Sequence, residues 1–376
     1  MAPTGRLVAL VAVTLLASTA CSAAGPAGSG PSGSQAPPPT ASPTTAASPS
    51  TVAPTPLPTP IAVLDGEPWI VYQWDPERGQ GLYLMRPDGS DAHEIPTNLT
   101  GEAGSPDWSP DGKLIAFELM VSDNVFEIWT VKANGTDPQK LLACEAAPCV
   151  QVGVPAWSPD GKQLAFGRLV NPTGNYRDDQ LTIEVLDLAT RESHVIAIAP
   201  AAGAEAAEYV NARWSPDGKQ VVFVINRYAT PPTNESLLGS SIAVVKADGS
   251  EANRPRILTD AAMFGSHPDW SPSGKRIVFN THGLGFEADW TKASNVYTIN
   301  PDGTGLTQVT RFGDNDTRVS TPSWTPDGTR ILFTHILRNA SNPDGDRHAA
   351  FIDPDGSNLT VLSEAYATHP RLRPTP

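Results

Sequence analysis

One phrase recurs five times in this 376-residue chain and constrains its fold more than any other feature. Each copy combines a Trp-Ser/Thr-Pro turn sequence with a Phe nine residues after the Trp. The Trp residues lie 49, 57, 56 and 54 positions apart, at Trp108, Trp157, Trp214, Trp270 and Trp324. A repeat of this length predicts one supersecondary unit stacked several times, because a single unit cannot bury its apolar faces alone.

Within each unit, the sequence predicts four short β-strands joined by tight turns. Ser-Pro-Asp-Gly suits a turn because Pro presets φ at the second position and Gly accepts a positive φ at the exit. Runs of branched and aromatic residues follow, such as Leu114–Phe117 and Val221–Phe223. A second turn closes a later strand, as at Asp302-Gly303, although the third unit has Ala189-Thr190-Arg191 there. Four strands and no helical period predict an all-β protein built of propeller blades.

The two ends of the repeat region predict six blades. Trp69–Tyr72 matches the second strand of a unit and Leu82–Met85 the third, but the first strand is missing. The chain ends with His369–Leu372, which resembles His267–Trp270 at the start of a unit. We therefore expect the last strand to complete the N-terminal blade and close the ring, which removes exposed sheet edges. The alternative is an open solenoid, which would need capping units that the sequence does not show.

The pattern Pro-x-Trp-Ser-Pro-Asp-Gly-Lys-x-apolar-x-Phe, followed by a strand ending in Asp-Gly, resembles the WD40-like repeat of TolB-like propeller proteins. The resemblance extends from about residue 65 to residue 373. It implies the fold more strongly than the function, since similar repeats occur in the propeller halves of oligopeptidases and in some polysaccharide-processing enzymes. TolB proteins also carry an α/β domain before the propeller, and the segment preceding the repeats here is too short for one.

The N-terminal segment predicts export. Residues 1–20 form a signal peptide with a positive start at Arg6 and an apolar run over Leu7–Leu16. Small residues precede Cys21, which resembles the lipidated Cys of bacterial lipoproteins, although Ser18 replaces the usual Leu. An ordinary signal peptide cut near Ala20, which would leave a secreted protein, is the alternative. Residues 21–61 form an uncharged tether rich in Pro, Ser, Thr and Ala, and residues 62–376 form the propeller.

Cysteine use and charge limit the partners. Cys144 and Cys149 are expected to pair in an exported protein and pin a loop between the second and third blades. A metal or redox role is the alternative. The formal net charge of −14 gives nucleic-acid binding no electrostatic basis and disfavours anionic lipid heads. We expect a cell-membrane protein attached only through its lipid, and a monomer.

Long loops mark one side of the predicted disc as the binding face. They span Val170–Thr182, Asn226–Ser241, Thr281–Asn295 and His335–His348, whereas the Gly turns on the other side are minimal. Ordinary loop packing is the alternative for any single residue on this side. Polar, aromatic and basic side chains from these loops and from the inner strands are the candidate ligand-binding residues: Tyr176, Arg177, Arg227, Tyr228, His267, His282, Trp290, Asp316, Arg318, His335, Arg338, His348 and His369.

The sequence favours binding over catalysis. No Gly-x-Ser-x-Gly elbow is present, and no hydrolase segment follows the repeats. Carboxylates at Asp314, Asp316, Asp344 and Asp346 could hold calcium, and the histidines His267, His335 and His369 could hold a transition metal. Our first hypothesis is a non-enzymatic module that binds a protein or an envelope glycan. The alternative is a carbohydrate-active or metal-dependent enzyme that uses the mouth of the channel.

Overall fold

The computed structural model describes residues 63, 66–75, 79–122, 125–171, 179–200, 205–229, 237–281, 293–313, 317–338 and 345–375. Within these ranges the chain forms six antiparallel sheets of four strands each, which are the blades of a propeller. The predicted all-β, six-bladed fold is therefore confirmed. The predicted signal peptide, Cys21 and the tether lie outside the described residues.

The blades follow one another along the chain, with one exception at the ends. Blade 1 contains β1 (Ile70–Asp75), β2 (Gly79–Met85), β3 (His93–Glu94) and the last strand, β24 (Thr368–Leu372). Blade 2 contains β4 (Glu102–Trp108), β5 (Leu114–Ser122), β6 (Val125–Lys132) and β7 (Gln139–Ala143). Blade 3 contains β8 (Cys149–Trp157), β9 (Gln163–Val170), β10 (Gln180–Asp187) and β11 (Ser193–Ile198).

The remaining blades keep the same order. Blade 4 contains β12 (Glu205–Trp214), β13 (Gln220–Ala229), β14 (Leu237–Lys246) and β15 (Arg256–Ile257). Blade 5 contains β16 (Gly265–Trp270), β17 (Ile277–Thr281), β18 (Val296–Ile299) and β19 (Thr307–Gln308). Blade 6 contains β20 (Thr317–Trp324), β21 (Ile331–Leu337), β22 (Asp346–Ile352) and β23 (Thr360–Tyr366). A 3-10 helix, Ala261–Met263, connects blades 4 and 5. Within the described ranges, no helix has the length and apolarity that a membrane span requires.

The C-terminal strand closes the ring. β24 pairs with β1 in antiparallel register, with Ile70 opposite Leu372. The backbone N–H of Arg373 donates to the carbonyl of Trp69 at 2.7 Å, and its Nε donates to the carbonyl of Gly112 in blade 2 at 2.7 Å. Closure therefore joins blades 1 and 2 through the same short segment. The open solenoid is excluded.

The turns between the first and second strands share one hydrogen-bond network. In blade 4, the N–H of Gly218 donates to the carbonyl of Ser215 at 2.9 Å, and Gly218 has a φ of 69°. Ser215 Oγ donates to Asp217 Oδ1 at 2.6 Å and accepts from the N–H of Gln220 at 2.9 Å. Gly tolerates this φ without a steric cost, and Pro presets the preceding turn position. The predicted turn chemistry is present.

The hydrophobic core lies between neighbouring blades. The Phe that ends each repeat motif is fully buried in blades 2 to 6, at Phe117, Phe166, Phe223, Phe279 and Phe333. Trp214 packs on the apolar side chains of blade 3, and its Nε1 donates to the carbonyl of Ala156 at 3.1 Å. The repeated Trp and Phe therefore serve packing between blades.

The strands are longer than the sequence indicates, and the predicted loops are correspondingly shorter. β13 and β14 continue through most of the predicted loop Asn226–Ser241, with Asn226 opposite Ser240. The predicted loop His335–His348 also begins and ends in strand, with His335 opposite His348. The loop boundaries were wrong here because polar residues such as Asn226, Ser240 and His335 lie in paired strands, and a polar run in the sequence resembles a loop until its strand partner is known.

Candidate binding site at the central channel

Each innermost strand carries a bulge at the same place. The residue three positions before the Trp, or before Leu372 in β24, has a positive φ between 46° and 57° in all six blades. The strand register shifts at this point in every blade. We call these residues the bulge ring: Ser105, Val154, Asn211, His267, Thr321 and His369. A left-handed backbone costs energy for residues other than Gly, most of all for β-branched ones, so packing must hold the bulges.

A buried carboxylate links two of these bulges. Glu118, on β5, accepts hydrogen bonds from Ser105 Oγ at 2.8 Å and from the N–H of Val154 in the next blade at 2.9 Å. The N–H of Ser105 donates in turn to the side chain of Gln73 in blade 1. Burial raises the pKa of Glu118, while these two donors favour its charged form. The network fixes blades 1, 2 and 3 relative to one another.

Two histidines of the bulge ring meet inside the channel. The rings of His267 and His369 contact edge to face, with centroids 5.6 Å apart. Burial lowers the pKa of His267 to about 3, and the charges of Arg213 and Arg371 lower it further. Burial also lowers the pKa of His369 well below its usual value. Both imidazoles are therefore neutral at pH 7. Each keeps partial exposure, so solvent reaches them from the channel.

Four charged side chains lie two residues further along the inner strands, on blades 1, 2, 4 and 5. We call them the charged ring: Asp107, Arg213, Asp269 and Arg371. Arg371 forms an ion pair with Asp269 at 3.2 Å.

Both carboxylates of the charged ring also bind the backbone of a neighbouring blade. Asp107 accepts from the N–H of Trp157 at 2.8 Å, and Asp269 accepts from the N–H of Trp324 at 2.9 Å. Burial raises the pKa of Asp107, and the two arginines oppose that rise. These bonds tie blade 2 to blade 3 and blade 5 to blade 6.

At the other end of the inner strands, polar groups occupy the mouth of the channel. In blade 4, Glu208 accepts a hydrogen bond from Tyr228 Oη at 2.8 Å. Burial raises the pKa of Glu208 to about 7, although hydrogen bonds from Tyr228 and Asn226 favour its charged form. The residue of blade 6 at the position of Glu208 is Arg318, whose side chain is only 2% exposed. Glu208 is therefore a carboxyl group at this end of the inner strands that titrates near neutral pH.

An open cavity of about 600 Å³ lies at blade 5 and its flanking connections, on the side of the disc that bears the connections between blades. Its lining combines apolar, aromatic, polar and basic groups: Ala262, Met263, Thr281, Ala293, Asn295, Tyr297, Gln308, Arg311 and Phe312. Asn295 Oδ1 holds the cavity wall by accepting from Thr310 Oγ1 at 2.9 Å and from the N–H of Phe312 at 2.8 Å. Arg311 is exposed at its edge.

The candidate residues chosen from sequence divide into several groups. His267 and His369 come together in the channel, below its mouth, and Tyr228 reaches the mouth through Glu208. Arg227 and His348 are partly exposed, and Arg338 is exposed at the end of β21. The remaining candidates lie outside the described residues: Tyr176, Arg177, His282, Trp290 and Asp316.

Two further candidates are buried in the structure. Arg318 is 2% exposed and His335 is 8% exposed. The His335 ring packs on Phe312 with centroids 5.4 Å apart, and burial together with His348 lowers its pKa. Neither side chain lies on the surface that was expected to bind a partner. Both residues lie in paired strands. The sequence had suggested an exposed loop for His335 and an exposed connection between blades for Arg318.

Sequence reasoning missed the charged ring and Glu118. A usable signal was present, because each charged-ring residue directly precedes the repeat Trp or its equivalent Leu372. Aligning the six inner strands on that position places two Asp and two Arg side chains at one level. The alignment alone does not show that these residues face one another, since that depends on ring closure.

The structure joins Cys144 and Cys149 by a disulfide between β7 and β8, at the connection between blades 2 and 3. Among the described residues, no three His, Cys, Asp or Glu side chains are grouped so that they could hold a metal ion. Asp314, Asp316 and Asp344 of the predicted calcium ligands fall outside those residues.

The propeller is similar to solved structures of TolB. TolB from Acinetobacter baumannii matches with 18% identity and a TM-score of 0.56, over 82% of this chain and 66% of that one. This chain thus spans about two thirds of the length of that protein. A putative TolB from Agrobacterium tumefaciens matches with 18% identity and a TM-score of 0.51, over 78% of this chain and 87% of that one.

A chain in the crystal structure of a nidogen/laminin complex matches with 9% identity and a TM-score of 0.53, over 81% of this chain and 98% of that one. No family model matches the sequence, and neither does any curated protein. At these identities the likeness shows the fold alone, which is a TolB-like β-propeller.

Proposed function

We propose that this protein is a binding module that takes a protein partner on its loop-side face. This face is formed by the connections between blades and by those between the second and third strands of each blade. The observation that carries the proposal is the cavity of about 600 Å³ that opens on this face of blade 5. Pockets of this size, lined by apolar and aromatic groups with a few polar ones, are where binding energy concentrates.

The chemistry of the cavity suits one anchoring side chain of a partner. Met263, Tyr297 and Phe312 supply an adaptable thioether and two aromatic surfaces. Arg311 stands exposed at the edge, where a carboxylate of the partner could pair with it. A large apolar side chain flanked by an acidic residue therefore matches the cavity.

Exposed apolar side chains also occur at other places on the loop-side face. Four of them lie at loop-side strand ends of blades 2, 4 and 6, at Val121 (38% exposed), Val125 (41%), Leu238 (54%) and Leu337 (44%). Scattered exposed apolar residues are normal on a soluble protein, so no single one is decisive. Four further exposed large apolar residues of the described part lie on outer strands or in turns, so the loop-side four add contact area to the face but do not mark it.

The fold and the N-terminal sequence support an extracytoplasmic setting. TolB-like propellers provide the architecture, and one similar structure belongs to a nidogen/laminin complex. We infer that residues 1–20 direct export, that Cys21 carries the lipid and that the tether holds the propeller away from the membrane. A Cys21→Ser variant should then move from the membrane to the soluble fraction of the source cells. Unchanged fractionation would contradict the lipid anchor without affecting the binding proposal.

In-cell photo-crosslinking tests the binding face. A photoreactive phenylalanine analogue is placed at Leu238 or Leu337 on the loop-side face, and at Leu306 or Leu359 in turns on the opposite side. All four positions are exposed by 43% to 54%, so the substitutions should be tolerated equally. We expect a discrete crosslinked protein adduct from the loop-side positions alone. Equal adducts from both sides, or none from the loop side, would contradict the proposal.

A cavity variant sharpens the same experiment. Met263→Glu places a charge among the aromatic groups of the cavity, and we expect at least a tenfold loss of the adduct at Leu238. Leu306→Glu, on the turn side, is the matched control and should leave the adduct unchanged. Circular dichroism of both purified variants checks that the propeller is intact. A full adduct with folded Met263→Glu would remove the cavity from the interface.

A further inference from the structure

Arg213 is the member of the charged ring whose charge has no partner at close range. It is 9% exposed, and NH1 donates to the neighbouring carbonyl of Ala212 at 2.9 Å. Its buried Nε has no hydrogen-bond partner among the described residues. No carboxylate of those residues lies within the 4.0 Å of an ion pair. A buried guanidinium without an ion pair at contact distance is costly, so an anion bound directly to it would stabilise the site.

The side chain of Arg213 points towards the axis of the propeller. Its guanidinium interacts electrostatically with Arg371 on blade 1, Asp107 on blade 2 and Asp269 on blade 5. It also acts on the two histidines of the bulge ring, on blades 5 and 1. The channel is the one place that these blades share. Arg213 therefore lies among the groups of the inner strands that surround the channel, and its Nε is a buried donor without a partner among the described residues.

The two carboxylates of the ring attract Arg213 from beyond contact distance, and each is hydrogen-bonded or ion-paired elsewhere. Asp269 is held by Arg371 at 3.2 Å and by the N–H of Trp324 at 2.9 Å. Asp107 accepts from the N–H of Trp157 at 2.8 Å. Both carboxylates are thus committed to bonds that hold neighbouring blades. Burial lowers the pKa of Arg213 to about 10, which leaves it charged at neutral pH.

We propose that Arg213 binds a small monovalent carboxylate inside the central channel. A guanidinium offers paired donors that match the two oxygens of a carboxylate. The neighbouring Asp107 and Asp269 repel a doubly charged anion such as sulfate more strongly than they repel a monovalent carboxylate. Solvent reaches this level of the channel, because Asp269 and Arg371 keep 17% and 13% of their side-chain surfaces exposed. The carboxylate can belong to a free organic acid or to the end of a polypeptide that enters the channel.

Histidine signals from the intact propeller provide a direct test. The protein is isotopically labelled only in histidine, which occurs seven times in the chain, and is followed by NMR. It is titrated with acetate at pH 7.5 and constant ionic strength, with sulfate as the balancing salt. His267 and His369 should show saturable shifts of their ring resonances, because both interact with Arg213. The exposed His194 on β11 is the internal control and should not move.

Two further probes distinguish a free organic acid from the end of a polypeptide as the source of the carboxylate. N-acetylated triglycine with a free C-terminal carboxylate is compared with its C-terminal amide. Saturation by acetate and by the free peptide, but not by the amide, supports a channel that accepts a chain end. Saturation by acetate alone restricts the site to free acids. Both outcomes support the anion site.

Variants assign the effect to Arg213. Arg213→Gln should abolish the saturable shifts, and Arg213→Lys should weaken acetate binding about tenfold because an ammonium lacks the paired fork. Arg330→Gln is the matched control, since Arg330 pairs with Asp353 on the outside of blade 6 and should leave binding unchanged. If Arg213→Gln does not fold, the wild-type titration and the Lys variant still decide. Shifts that never saturate, that are equal in sulfate, or that persist in a folded Gln variant would overturn the proposal.

Discussion

The turn side of the disc and its central channel use equivalent positions in opposite ways. On the turn side, nearly the same residues make the same bonds in successive blades. Ser109 Oγ donates to Asp111 at 2.7 Å, and Thr325 Oγ1 donates to Asp327 at 2.6 Å. In the channel, the six bulge-ring positions share one backbone geometry but carry five different residue types. Repetition on the turn side serves the scaffold, whereas variation around the channel supplies chemistry.

The difference shows where a propeller can vary. A turn must satisfy its own backbone groups, and few side chains do this, so the Ser-Pro-Asp-Gly phrase recurs. A channel position needs only the backbone bulge, which the surrounding network holds, and its side chain can change. His267 and His369 illustrate this freedom, as does Val154, whose β-branched side chain tolerates a φ of 53°.

Removing the closing strand should have the largest effect, because it damages both regions at once. Deletion of residues 368–376 removes the partner of β1 and the Arg371 carbonyl that Trp108 Nε1 contacts at 3.2 Å. We expect the loss of a single cooperative thermal transition in calorimetry. Deletion of Thr375 and Pro376 alone is the control. An unchanged transition after the longer deletion would contradict the closed ring.

Trp214→Ala should lower the free energy of unfolding by about 3–5 kcal/mol. The side chain is 8% exposed and packs between blades 3 and 4, so its loss leaves a cavity that the ring cannot close. Chemical denaturation of Trp214→Ala and of Leu306→Ala, which is 47% exposed in the wild type, gives the comparison. Equal midpoints for the two variants would place Trp214 outside the core.

We expect the free energy of unfolding to fall with pH in the acid range because of His267 in the channel. Its pKa of about 3 in the folded state lies below the 6.5 of an ordinary histidine, so stability present above pH 6.5 is lost as the pH falls towards 3. His267→Asn keeps a residue that tolerates positive φ and should reduce the loss between pH 7 and pH 4.5 by about 2 kcal/mol. His194→Asn, at an exposed outer strand, should follow the wild type. Parallel curves for His267→Asn and the wild type would contradict the buried neutral imidazole.

Single turns should contribute the smallest effect. Asp217→Ala removes acceptors for Ser215 Oγ at 2.6 Å and for the N–H of Lys219 at 3.1 Å, and should cost about 1 kcal/mol. Blade 5 has Ser273 at this position, with a longer contact to Ser271 at 3.2 Å. Ser273→Asp should therefore stabilise the protein by a few tenths of a kcal/mol in urea denaturation. Destabilisation by Ser273→Asp would show that the turns are not interchangeable.

Prediction from sequence succeeded for features that depend on residues close together in the chain or on the regular spacing of the repeats. The turns, the buried Phe residues and the joining of the terminal strands all follow from patterns that span a few residues or repeat at a fixed offset. The sequence did not indicate that Arg318 and His335 are buried, because polar residues near strand ends look like loops until their partners are known. The carboxyl group of Glu118 was missed because its bonds to Ser105 and Val154 cross between blades.

The amino-acid pattern alone determined six four-stranded blades and the strand that closes them, since turn formation and apolar burial depend on neighbours along the chain. Tertiary structure alone decided which side chains share the axis. Arg213 and Arg371 are 158 residues apart in the chain, yet their charges interact in one channel. Closing the ring brings the inner strands together there, and burial then makes an unpaired charge a place for an anion.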